Sequence, residues 1–128
     1  MNLLDASAIF SLFQKGKYDV LIVGATVPLA KYEIGNILWK SAKVRNNISK
    51  KEATELGTVI FELIDSMEQI TPSPDSVLNL SLEDGLTFYD SSYLVSAIEA
   101  GYDFVTDDLK LYKIASSKVM TRKSSDLG

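Results

Sequence analysis

The chain has 128 residues, 46% of them hydrophobic, and 13 basic against 17 acidic side chains, for a net charge of −4. That is enough apolar material for the core of one domain, expected to span residues 1–128, and no apolar run is long enough to cross a bilayer. With no histidine and no cysteine, Ser-His-Asp and Cys-His catalysis, disulfides and the usual zinc sites are excluded.

The remaining chemistry belongs to carboxylates, hydroxyls, amides, Lys, Arg and Tyr, and oxygen ligands suit hard cations such as Mg²⁺ and Mn²⁺. An acidic chain does not grip nucleic acid through bulk charge, but a bound metal can supply positive charge locally. The opening "MNLLDASAIF" lacks a basic segment and soon reaches an acid. A signal peptide is therefore not expected, and a cytoplasmic location is.

In chain order, "NLLDAS" reads as a short buried strand that stops at Asp5, followed by the helix "SAIFSLFQKG" with a stop at Gly16. "YDVLIV" fits either a short helix or a strand. "ATVPL" reads as a strand, with Pro28 marking an edge or an end. "AKYEIGNILWKSAKVRN" is helical by period, with Ile34, Ile37, Leu38 and Ala42 on one face. The next helix, "SKKEATELGTVIFELIDSMEQ", opens with a capping box, Ser49 and Glu52, and carries an apolar stripe from Ala53 through Leu56, Val59, Ile60, Leu63 and Ile64 to Met67. "ITPS" is expected as a strand and "SPDSVLNLSLEDG" as a helix with Pro74 early and Gly85 as its stop. "TFYDSSYLVSAIEAG" is a helix, "DFVT" a strand, "DLKLYKIASS" a helix and "KVMT" a last strand. This alternation predicts a three-layer α/β/α domain around a short, mostly parallel sheet, in which ligands sit beyond the carboxyl ends of the strands. Trp39, Phe61 and Phe88 are expected in or beside the core, and Tyr89 and Tyr93 flank the acidic positions.

Five acids fall where such a fold binds ligands. Asp5 follows the first strand, Glu33 and Asp90 lie in first helical turns, and Asp107 and Asp108 follow "DFVT". Capping accounts for each acid taken singly, since Asp is a favoured N-cap and acids in a first turn complement the helix dipole; Thr87 and Asp90 have the spacing of a capping box. Two positions sit badly with capping alone. Glu33 lies on the flank of an apolar face, and Asp5 follows "LL" in a strand expected at the sheet centre, where an unpaired carboxylate is costly. A bound cation would offset both costs.

Four segments in order carry a resemblance that covers essentially the whole chain: "LLDASAIF" with Asp5 and Ser7, "YEIGNILWK" with Glu33 and Asn36 in an E-x-x-N-x-L arrangement, "LTFYDSSYLVSAIEAG" with Asp90, and "FVTDDLKLY" with Thr106 and Asp108. The sequence resembles the PIN-domain family, and especially its small toxin ribonucleases of VapC type. The resemblance implies Mg²⁺- or Mn²⁺-dependent endonucleolytic cleavage of RNA, with Asp5, Glu33, Asp90 and Asp108 as the ligand set. Ser7, Asn36 and Thr106 would orient ligands or water, and Asp107 would be a helix cap or an outer acceptor. It also implies a homodimer and an antitoxin protein that lays a peptide in the groove and presents a basic side chain to the acids. Members often have Ala after the third acid, where this chain has Ser91.

Phosphodiester hydrolysis fits such a carboxylate set on chemical grounds as well, because a held cation supplies what a side-chain nucleophile would otherwise provide. Other readings compete. A receiver-like phosphosignalling domain needs an acidic pair after the first strand, whereas the pair here comes late. A haloacid-dehalogenase-type phosphatase needs D-x-D where this chain has "DAS". A catalytically silent PIN-like interaction module would share the fold and lack the activity.

Overall fold

The computed structural model describes residues 1–128. The chain forms β1 (Asn2–Leu4), α1 (Ala6–Gln14), α2 (Tyr18–Ile22), β2 (Ala25–Thr26), α3 (Leu29–Trp39), α4 (Lys50–Asp65), β3 (Glu68–Gln69), α5 (Pro74–Asp84), α6 (Phe88–Ala100), β4 (Asp103–Val105), α7 (Leu109–Ser116) and β5 (Thr121–Arg122). α3 runs on through Lys40–Val44 in wider π-type turns, and a 3₁₀ turn, Ser124–Asp126, follows β5. The ambiguous "YDVLIV" is therefore helical. No helix is long and apolar enough to cross a membrane.

The five strands form one sheet in the order β3-β2-β1-β4-β5. Every pairing is parallel, so the sheet is wholly rather than mostly parallel. Right-handed crossovers put the β1–β2 and β2–β3 connections on one face and those leading to β4 and β5 on the other. α1 packs on α2 and α3, while α6 lies against β1 and β4 with α5 outside it. Both layers need apolar strands: Leu3, Leu4, Phe104 and Val105 have no exposed surface. Pro28 caps α3 at the end of β2, which is an interior strand, so it marks a strand end and not an edge.

Connections leave β1 toward one side of the sheet and β4 toward the other. The crevice between these two neighbours is thus the switch point at which open α/β sheets bind ligands. The register brings Leu4 opposite Val105, so the next residues, Asp5 and Thr106, emerge side by side at the carboxyl edge.

Some local expectations shift. The strand expected at Ile70–Ser73 forms earlier, at Glu68–Gln69; its ladder ends where the Ile70 N–H donates to the Thr26 carbonyl, because Pro72 has no N–H to extend it. The last strand starts at Thr121 because Lys118 and Val119 still donate to the Ala115 carbonyl and close α7. Trp39 and Phe88 are exposed, as is Val59 of the α4 stripe, since no element of this chain covers them. The Ser49–Glu52 capping box is present in full.

Gly24 links α2 to β2 under tight packing. A Cβ there would stand 2.8 Å from Leu4 Cδ1 and 3.3 Å from the Leu21 carbonyl oxygen. Because Leu4 is fully buried, Gly24→Ala is expected to destabilise by about 1–3 kcal/mol through overpacking next to β1. Urea denaturation measures this, and a midpoint equal to wild type would contradict it.

Candidate active site

The site is built outward from Asp5. One residue past β1, it is 4% exposed and caps α1. Oδ1 accepts from the Ser7 hydroxyl at 2.7 Å and the Ala8 N–H at 2.9 Å, and Oδ2 accepts from the Thr106 hydroxyl at 2.5 Å. The two hydroxyls are tied in turn to the loop after β4: Ser7 Oγ accepts from the Asp107 N–H at 3.0 Å, and Thr106 Oγ1 accepts from the Asp108 N–H at 3.1 Å. Ser7 and Thr106 therefore both bond Asp5 and tie it to the loop that carries Asp108.

Glu33 lies in the second turn of α3, not the first, because the helix already begins at Leu29. Its Oε1 accepts from the Tyr93 hydroxyl at 2.6 Å, and that tyrosine is 1% exposed. Tyr93 follows Asp90 by three positions on α6, so both project from one helix face; this spacing is the signal that could have marked Tyr93 as a support of the site. Asp90 stands in the first turn of α6. Its N–H donates to Thr87 Oγ1 at 3.0 Å, which is one half of the expected capping box. Its carboxylate is thus not committed to closing the other half.

Asp107 and Asp108 divide the work differently from the expectation. Asp108 is the N-cap of α7, accepting from the Leu111 N–H at 2.9 Å with Oδ1. Asp107 caps nothing. It accepts from the Ser124 N–H at 2.8 Å and the Ser124 hydroxyl at 2.5 Å, and Ser124 Oγ is also 3.1 Å from Ser11 Oγ. The cap falls one residue later because Thr106 fixes the backbone of Asp108, leaving Asp107 to turn toward the end of the chain. Asn36 is exposed one turn beyond Glu33 in the adjoining groove, and its amide bonds none of the acids.

The electrostatics show which acids the fold brings together. Burial pushes the Asp5 carboxyl up to about 6 against the pull of its hydrogen bonds, and the charge of Asp90 adds to the rise. Glu33 is raised by burial, resisted by the Tyr93 hydrogen bond and reinforced by Asp90. Asp90 is itself raised by burial and then by Asp108, while Lys110 acts in the opposite sense. The Tyr93 hydroxyl is held in its protonated form by burial and by Glu33. The charge of Asp90 thus reaches both Asp5 and Glu33, and Asp90 in turn feels Asp108. No three acids are gathered tightly enough to make a ready-made cage for an ion.

The acids thus line a crevice at the switch point of an all-parallel β3-β2-β1-β4-β5 sheet. No protein-family model matches the chain, but individual proteins do. It is 34% identical over 114 residues to exonuclease VapC9 of Pyrobaculum aerophilum, a match covering 85% of this chain and 81% of that protein. It is 32% identical over 90 residues to ribonuclease VapC3 of the same organism, covering 67% and 66%. The crystal structure of PAE2754 from Pyrobaculum aerophilum superposes with a TM-score of 0.78 at 28% identity, over 94% of this chain and 87% of the other. VapBC-1 from nontypeable Haemophilus influenzae matches in fold, with a TM-score of 0.61 at 11% identity over 97% and 98% of the two chains. The chain belongs to the VapC family of PIN-domain proteins.

Two predictions follow from the geometry. Between the unfolded value for an aspartate, about 3.9, and its folded value of about 6, Asp5 holds its proton more tightly in the folded chain. Stability in chelator should therefore fall as pH rises through that interval, by up to about 3 kcal/mol at pH 7. Asp5→Asn should flatten this dependence and melt higher than wild type at pH 7. Parallel thermal melts from pH 4 to 7.5 measure it, and an unchanged slope in the variant would contradict it.

The second separates the acid pair. Asn keeps the capping acceptor at position 108, so Asp108→Asn should leave the melting point nearly unchanged. Asp107→Ala breaks the Ser124 tie and is expected to cost about 1–3 kcal/mol. Equal losses in both variants would show that the two positions share one structural role.

Proposed function

We propose that this protein is a Mg²⁺- or Mn²⁺-dependent ribonuclease that hydrolyses phosphodiester bonds within RNA, acting as the toxin of a toxin–antitoxin pair. One observation carries the reading: Asp90 is coupled to Asp5, Glu33 and Asp108 at once, and three of these four carboxyls are raised by burial or by each other's charge. Gathering like charges destabilises a fold unless something positive relieves the repulsion. The names of the relatives, an exonuclease and a ribonuclease, support a nuclease over a silent module.

The donor set suits a hard divalent cation. It is all oxygen, and Glu33 and Asp108 each engage only one carboxylate oxygen in the hydrogen bonds described. The absence of a closed cage is compatible with Mg²⁺, which keeps several waters and needs one or two direct carboxylates. Asp5, Asp90 and Glu33 would hold the ion, with Asp108 completing the cluster. When bound, such a cation neutralises the phosphate, lowers the pKa of a water in its shell and steadies the leaving oxygen.

The chain's own groups supply position. Ser7, Thr106 and the Ala8 N–H fix both oxygens of Asp5. Tyr93 fixes one oxygen of Glu33 and keeps its own proton doing so. Such fixed orientation is what keeps an ion and a strand in register for in-line attack. An acidic groove also attracts a basic peptide, so the antitoxin of this reading would place Arg or Lys among the acids and exclude the ion.

Purified protein stripped of any partner should cut single-stranded RNA with Mn²⁺, stop when chelator is added, and lose cleavage by at least about 100-fold in Asp90→Asn. A circular RNA substrate separates the proposed internal cleavage from an exonuclease, which cannot start on it. Cleavage that persists in chelator or in Asp90→Asn would overturn the proposal.

A further inference from the structure

Beside the acids the groove opens into a recess of about 490 Å³, within the range of roughly 300–1,000 Å³ that seats small organic groups. One wall is a single face of α3, where Leu29, Tyr32, Glu33 and Asn36 succeed one another at helical spacing. The other comes from Tyr89 near the start of α6. Glu33 belongs to both the recess and the acid cluster, so whatever sits in one lies next to whatever is held by the other.

The two tyrosines are spent on nothing in the fold. Tyr32 is 77% exposed and Tyr89 58%. The chain's one aromatic pair is Phe13–Tyr18, so neither ring is stacked. The hydroxyls of Tyr93 and Tyr102 are bonded to carboxylates, whereas those of Tyr32 and Tyr89 bond no protein group. The Asn36 amide in the same recess carries both a donor and an acceptor. Singly exposed aromatics are ordinary, but apolar surface gathered in a recess and rimmed by polar groups marks a ligand groove.

We propose that the recess is a base slot. It takes an unpaired nucleobase next to the phosphate held at the acids, with Tyr32 and Tyr89 offering their rings for stacking and Asn36 meeting the base edge. The proposal rests on the ribonuclease reading and adds how the strand is positioned. Single-stranded RNA is recognised in this way, by splayed bases on aromatic faces with amides at their edges. An aromatic–amide recess opening directly onto the acids fits a base better than an apolar peptide side chain, which would need neither flat rings nor an amide.

The test uses a short single-stranded RNA carrying 2-aminopurine, whose fluorescence is quenched by stacking, titrated in Ca²⁺ so that binding is read apart from cleavage. Wild type and Tyr89→Phe should bind and quench alike. Tyr89→Leu and Tyr32→Leu, which keep apolar bulk without a ring, should lose the quench and bind roughly 5- to 150-fold more weakly, from about 1–3 kcal/mol per stacked base. Thermal melts establish that each variant is folded. If the Leu variants bind as tightly as wild type, the slot is wrong even where wild type cleaves RNA, and tight binding without quenching places the base elsewhere and is equally fatal. If they bind RNA normally but lose affinity for an antitoxin peptide, the recess serves that partner instead. If folded wild type binds no RNA under any of these conditions, the ribonuclease reading fails and the slot with it.

Discussion

Everything at this site depends on one buried carboxylate. Asp5 leaves the central strand at the point where the connections switch from one side of the sheet to the other, with three hydrogen bonds on its two oxygens and little access to water. Burial favours its protonated form and the hydrogen bonds favour its charged form, and burial is the larger effect. The group is therefore held near the balance between the two states. The same bonds are what the neighbouring loop needs: remove them and Ser7 and Thr106 lose the acceptors that align Asp107 and Asp108.

The other acids are placed by helix starts. α3, α6 and α7 each begin at the carboxyl edge of the sheet, bringing Glu33, Asp90 and Asp108 to one rim from segments far apart in the chain. Helix N-termini favour negative charge, which softens the repulsion that Asp90 collects from its neighbours. Tyr93 softens it further at Glu33 by donating its proton. The structure thus tolerates its acids through hydroxyls, backbone N–H groups and dipoles.

Much of this was legible in the sequence, for identifiable reasons. The strand–helix alternation and the short apolar strands announced a parallel sheet, and Asp5, Asp90 and Asp108 stood out because they follow strands or open helices, whereas Glu33 sits a turn deeper in α3 than its pattern implies. The capping box at Ser49 and the Gly stops could be read locally. What could not be read depended on distant partners. The hydrogen bond from Tyr93 to Glu33 joins α6 to α3, and Ser124 claims Asp107 across a strand and a helix, so neither partner is written in the local sequence, even though the spacing of Tyr93 from Asp90 puts it on the site's side of α6. The exposure of Trp39 and Phe88 was hidden because aromatic residues carry no mark of whether an element of their own chain will cover them.

The bond between Thr106 and Asp5 joins residues 101 positions apart, and the sheet's central pair, β1 and β4, has the same separation. Such long-range parallel pairing pays its loop-closure entropy before it gains any contact, and it is among the slower events of folding. During synthesis the N-terminal strand emerges first and waits for nearly the whole chain before its partner exists. The acid cluster accordingly cannot close until the chain has grown to Asp108, with α7, β5 and the Ser124 tie to Asp107 still to follow. A nascent or truncated chain lacking β4 has Asp5 without Thr106 and Asp90 without Asp108, so maturation of the site is timed by chain length itself.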